Sequence, residues 1–167
     1  MTKTKKLTLC AVLTALALGL SYAERFLPLQ LLIPLPGVKL GLANVVTLVA
    51  LCLLGKGYAF GILVARCLLG AAFGGLTGLA FSLSGGLLAL GVMCLAEKCK
   101  GLSLFGISVL GAAAHNVGQI LVAMALMGSV YVAMYLPWLL LMSIATGLLT
   151  GSLCAGVLRL LPKEVAK

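Results

Sequence analysis

Apolar residues run along the chain in long stretches that end at ones, twos and threes of charged residues. A helix needs about 20 mostly apolar residues to cross a bilayer, and six stretches qualify as candidates. They cover about 7–23, 40–54, 58–73, 76–95, 102–127 and 137–160. Between the first and second lies a proline-bearing stretch, Phe26 to Lys39, with Pro28, Pro34 and Pro36. A continuous helix is not expected there, because each proline lacks an N–H and restricts the residue before it. The second stretch stops at Gly55, Lys56, Gly57. Gly74 and Gly75 predict a tight turn between the third and fourth. The sixth begins near Pro137 and Trp138, with Tyr131, Tyr135 and Trp138 where an interfacial aromatic belt would lie.

Composition agrees with this pattern. Of 167 residues, 63% are hydrophobic and only 9% are charged, with a mean hydropathy of +1.26. A soluble domain is closer to half apolar and a quarter charged, so this chain has too few polar side chains to cover a water-facing surface. Six spans use roughly 120 residues. The remainder is too short for a second domain, and 1–167 reads as one integral membrane domain of all-α class without a convincing internal repeat. The three acids are Glu24, Glu97 and Glu164, and there is no aspartate. Carboxylate clusters for magnesium, and the phosphoryl or prenyl transfer that depends on them, are therefore outside the reach of this chain alone.

The net charge of +9 raises nucleic-acid binding, but the bases neither cluster on one face nor alternate with aromatics. Their distribution follows the positive-inside rule. With both termini cytoplasmic, the inner side holds nine bases: Lys3, Lys5, Lys6, Lys56, Lys98, Lys100, Arg159, Lys163 and Lys167. The outer side holds only Arg25 and Lys39. The expected location is thus the cell membrane, in multi-pass form. The first stretch, with its basic start and Ser21-Tyr22-Ala23, also has the three parts of a cleaved signal peptide, the less favoured reading. Six cysteines (Cys10, Cys52, Cys67, Cys94, Cys99, Cys154) lie mostly inside spans without a CxxC. They read as small hydrophobes rather than a disulfide framework or a metal site.

Against this apolar background a few polar residues stand out. Arg66, near the middle of the third stretch, either snorkels to an interface or is a fixed cation that offers its bidentate fork to an anion. His115, Asn116 and Gln119 form a second group, with His115 and Gln119 on one helix face and Asn116 about 100° round. They serve either as interhelical glue or as a polar ligand pocket. A lone histidine without a second His, Cys or carboxylate nearby does not suggest a metal, and no cofactor is expected. Lys39 and Asn44, in the turn that leads into the second span, suit an anion or carbonyl arriving from outside, or else act as an interfacial lysine and a capping or glue asparagine. Glu24 and Arg25 either pair with each other at the surface, a contact worth little, or contribute to the rim of the same pocket. Small residues recur every fourth position in Ala11, Ala15, Gly19 and in Gly147, Gly151, Ala155. Such ridges let helices approach closely, in internal packing or in docking another membrane subunit.

Taken together the pattern resembles the substrate-binding S components of energy-coupling factor (ECF) transporters. The likeness runs over nearly the whole chain: a basic start, Ala11-x-x-x-Ala15, a proline-rich first loop, and the run from Val38 to Gly70, VKLGLANVVTLVALCLLGKGYAFGILVARCLLG. More narrowly, PGVKLGLAN, ARCLLG and AHNVGQ are similar to the Gx transporter group, also labelled heptaprenyl diphosphate synthase component I. The resemblance implies a six-helix bundle with a pocket near the outer side. It also implies association through the AxxxA face with a transmembrane coupling subunit and ATPase subunits. By position, Ala11 and Ala15 would dock that subunit, and Lys39, Asn44, Arg66, His115, Asn116 and Gln119 would line or support the pocket. The expected function is capture of a small organic anion or an amphipathic precursor for uptake, without catalysis, energised by partners because the chain has no Walker motif. The alternative is a noncatalytic membrane partner of a polyprenyl (heptaprenyl) diphosphate synthase.

Overall fold

The computed structural model describes residues 2–26, 39, 41–99 and 101–160, and all regular structure among them is helical. The proline-bearing stretch lies almost wholly outside the described residues, as do Lys100, Lys163, Lys167, Glu164 and the side chain of Arg25. The elements are α1 (Lys3–Ala23), a 3-10 turn (Glu24–Phe26), α2 (Asn44–Leu54), α3 (Lys56–Ala96), α4 (Leu104–Met127), a second 3-10 segment (Val130–Tyr135) and α5 (Leu136–Leu160).

Local chemistry explains most of the boundaries. The Thr2 hydroxyl accepts from the Lys5 N–H, so α1 starts one turn earlier than hydropathy suggests. Ser103 caps α4 in the same way, through the Gly106 N–H, and Gly128 ends that helix in the left-handed conformation at φ 60°. The second stretch is shorter than expected. Gly41 has φ 79°, which breaks helical geometry, so α2 begins at Asn44 and contains eleven residues. At 1.5 Å per residue it is about 16 Å long, well short of a bilayer core. Nine of those residues are buried, which makes α2 a strut inside the bundle.

The third and fourth stretches form one element of 41 residues, interrupted only at Gly75, where φ is 63° and ψ is −172°. A straight helix would separate Leu63 from Gly86 by about 34 Å. Instead, a Cβ placed on Gly86 would lie 2.5 Å from a methyl of Leu63 and 3.2 Å from Nη2 of Arg66. The two arms of α3 therefore fold back on each other about Gly75.

Four helical segments are long and apolar enough to cross a membrane: Lys3–Ala23, Lys56–Ala96, Leu104–Met127 and Val130–Leu160. Their outward faces carry alkyl groups such as Leu68, Leu76, Leu141 and Leu160, all more than half exposed, a surface that water would penalise and lipid would cover. One core joins α1, α2, both arms of α3 and Cys154 of α5. A second gathers Phe81, Ile120, Ala123, Val132 and Leu139. The basic end of the bundle is held loosely. Lys56 Nζ lies 3.9 Å from Glu97 Oε2 with both side chains about half exposed, and Lys6 Nζ lies 5.7 Å from the centre of the Tyr58 ring. The starts of α1 and α3 and the close of α3 thus share one end.

The two small-residue ridges have opposite fates. Gly147 and Gly151 are buried, and a Cβ on Gly147 would lie 2.5 Å from Cα of Val109. That ridge lets α5 lie against α4, where Ser108 and Thr150 hydroxyls hydrogen-bond at 2.6 Å. Ala11, Ala15 and Gly19 are exposed, and a Cβ on Gly19 would meet nothing within 4 Å. This ridge faces away from the bundle.

Candidate functional site

At the end opposite the lysine-rich one, the close of α1, the approach to α2, both arms of α3 and the middle of α4 meet around a polar cluster. Its centre is Arg66, 5% exposed. Nη1 of Arg66 donates to Oγ of Ser21 at 3.3 Å. Nε and Nη2 have no hydrogen-bond partner among the described residues. Those two nitrogens form the side edge of the guanidinium, which matches two oxygens of a carboxylate or phosphate. Snorkelling does not account for an arginine buried so completely, because a snorkelling head group ends in water.

Lys39 sits beside it. The Lys39 ammonium donates to Oγ of Ser82 at 2.9 Å, and its backbone N–H donates to Oε1 of Gln119 at 3.1 Å. That second bond orients the amide of Gln119. With Oε1 occupied as an acceptor, the NH2 group is left to face Nε2 of His115 at 2.8 Å. An amide NH2 can only donate, so Nε2 of His115 is the acceptor and the imidazole is neutral, with its proton on Nδ1. Space around that ring is tight. A Cβ on Gly85 would lie 2.6 Å from Nδ1, and one on Gly41 would lie 2.8 Å from Cδ2. Gly41 is also 2.9 Å, by the same measure, from the Asn44 amide nitrogen. Both polar atoms of that amide are buried and without a hydrogen-bond partner among the described residues.

Glu24 is not at the surface, the first of its two expected places. It is 3% exposed, and its carboxylate accepts the N–H of Leu42. The 3-10 turn after α1 carries the side chain inward, which ties the end of α1 to the entry of α2. Burial pushes its carboxyl above the ordinary carboxylate range, while the Leu42 N–H, Lys39 and Arg66 pull it back.

Ser21, Tyr22, Lys39, Arg66, Phe73 and Ser82, with Leu18, Cys67 and Gly70, line a cleft with about 20 Å³ of free space, enough for one water-sized group. The rings of Tyr22 and Phe73 meet edge to face at 5.8 Å. Of the residues singled out by sequence, Lys39 and Arg66 line the cleft. Gln119 and His115 stand behind Lys39, and Asn44 stands next to His115. Asn116 is turned away: its Nδ2 donates to the Leu139 carbonyl at 2.8 Å, joining α4 to α5. Ser21 and Ser82 escaped sequence reasoning. Their hydroxyls look like those of ordinary helix serines, and Glu24 next to Arg25 reads in sequence as either a surface pair or part of the rim of the pocket. Among the described residues no group of three His, Cys, Asp or Glu stands close enough to hold a metal.

These features define a class: an all-helical protein of membrane type, with a buried, cation-bearing polar site at one end of the bundle. Within that class the chain belongs to the heptaprenyl diphosphate synthase component I family, whose model matches residues 13–157. The matched region contains every cleft residue and Ala15, and begins just after Ala11. No curated protein and no solved structure matches the chain.

Proposed function

We propose that this protein is the substrate-binding membrane component of an ECF-type uptake transporter, with six passes between its two ends, the short α2 passing inside the bundle, and both termini in the cytoplasm. It captures a small organic anion, or an amphipathic precursor that carries one, at the end remote from the lysines. The observation that carries this reading is that Nε and Nη2 of Arg66 are buried without a hydrogen-bond partner among the described residues, while Arg66 itself lines the cleft. A buried guanidinium edge without partners is costly unless an anion completes it. Lys39 adds positive potential. Gln119, His115 and Asn44 support the Lys39 backbone and the turn at Gly41, while Asn116 joins α4 to α5. Ala11 and Ala15, exposed on α1, suit the coupling subunit of an ECF module.

A screen for ligand-dependent thermal stabilisation of the purified protein tests the reading, because a ligand that binds only the folded state raises its stability by mass action. The expected outcome is that at least one among vitamins, flavins, quinone precursors and diphosphates stabilises the parent, and that Arg66→Ala loses the response by about tenfold or more in affinity. Equal responses from parent and variant would sink it.

The family's name favours a second reading, a noncatalytic membrane partner of a polyprenyl diphosphate synthase that delivers or accepts the chain. The carboxylates argue only against catalysis by this subunit: Glu24 and Glu97 lie at opposite ends of the bundle. Product chain length measured with and without this protein discriminates the two readings, and an unchanged distribution counts against the synthase role.

A further inference from the structure

Among the described residues, Glu24 is the only acid near the cleft. Glu97 faces Lys56 at the opposite end. The residues between Phe26 and Lys39 include no acid. Around the cleft stand two fixed cations, Lys39 and Arg66, and one carboxylate whose electrostatic partners are those same cations. His115 is neutral, since it accepts the Gln119 amide. Counted together, Glu24, Lys39 and Arg66 carry one net positive charge. In a buried setting an uncompensated charge is strongly disfavoured, and so is overcompensation by a second negative charge.

We propose that Glu24 sets the charge this site accepts, so that it takes a singly charged oxyanion, such as an organic carboxylate, on the Nε/Nη2 edge of Arg66 in preference to a doubly charged phosphate. The proposal rests on the solute-binding reading and narrows its substrate class. Glu24 does not touch the ligand in this arrangement. It acts through the field of Lys39 and Arg66 and by holding the Leu42 N–H, which makes it a specificity-determining residue.

Methanesulfonate and sulfate test this directly, because both are tetrahedral oxyanions and they differ by one charge that does not titrate between pH 5 and 8. The full chain in detergent or nanodiscs is titrated with each at matched ionic strength, and thermal stabilisation is read. The parent at pH 7.5 is expected to bind methanesulfonate more tightly than sulfate. Arg66→Ala is expected to lose both responses. Glu24→Gln keeps an oxygen to accept the Leu42 N–H but raises the site charge to two, and is expected to move the ratio toward sulfate by about tenfold.

A second measurement needs no variant. Burial raises the carboxyl of Glu24, so lowering the pH neutralises it and is expected to move the parent toward sulfate. The groups that face it are Lys39 and Arg66, which stay charged, with His115, Tyr22 and Cys67 beyond them. In Glu24→Gln the ratio is expected to be flat with pH, and a slope there would assign the effect to His115 instead. An unchanged ratio in Glu24→Gln, with binding still dependent on Arg66, overturns the charge-setting role and leaves solute binding standing. Stabilisation that survives Arg66→Ala, or none by either anion, overturns both.

Discussion

At the scale of single residues, close contacts around His115 decide whether the polar cluster can exist. Gly85 leaves room for the imidazole where any side chain would collide. Gly85→Ala is expected to lower stability by about 1–3 kcal/mol, as overpacking of a tight interior does, and to weaken ligand response by displacing His115 and with it Gln119 and the Lys39 backbone. Denaturation of the detergent-solubilised protein checks this, and an unchanged midpoint would show that the ring has room to move. Arg66 and the His115–Gln119 pair were legible in sequence because an ionisable or amide group within an apolar run is rare and needs a reason. Glu24 was legible only as one of two alternatives. Its neighbour Arg25 offers an obvious surface partner, and only the 3-10 turn rotates the carboxylate toward Leu42.

Among whole elements, the two small-residue ridges look alike in sequence but differ in what they face. The α5 ridge is consumed by α4, through Val109 against Gly147 and the Ser108–Thr150 hydrogen bond. The α1 ridge is open. Ala11→Trp combined with Ala15→Trp is therefore expected to leave thermal stability nearly unchanged while abolishing co-purification with coupling and ATPase subunits. Undiminished assembly would count against docking through this face. By contrast, Gly147→Trp is expected to unfold the bundle, since the added ring would enter the backbone of α4. The same scale explains the shortened α2. Hydropathy continues smoothly from Leu40, but the positive φ of Gly41 delays the helix to Asn44.

For the molecule as a whole, the separation of charge between the two ends predicts its orientation. Lys3, Lys5, Lys6, Lys56, Lys98 and Arg159 belong to one end among the described residues, while Lys39 and Arg66 belong to the other. Under the positive-inside rule the first end is expected to be cytoplasmic. Cys99 is exposed beside Lys98, which makes it a reporter. In a variant that retains only this cysteine, a membrane-impermeant maleimide is expected to label inverted vesicles and to spare intact cells. Labelling of intact cells would reverse the topology and put the Arg66 cleft on the wrong side for uptake.

Hydrophobic run length and scattered bases were enough to derive an all-helical membrane-type chain, because burying backbone in lipid permits few solutions and those solutions depend on composition over about 20 residues. Which polar residues meet depends on contacts between residues far apart in sequence: Ser21 with Arg66, Lys39 with Ser82 and Gln119, Glu24 with the turn at Leu42. The folding back of α3 at Gly75 and the rotation of each helix bring them together. Run length and charge do not encode that rotation, so the tertiary structure alone turned an isolated arginine and a seemingly peripheral glutamate into parts of one site.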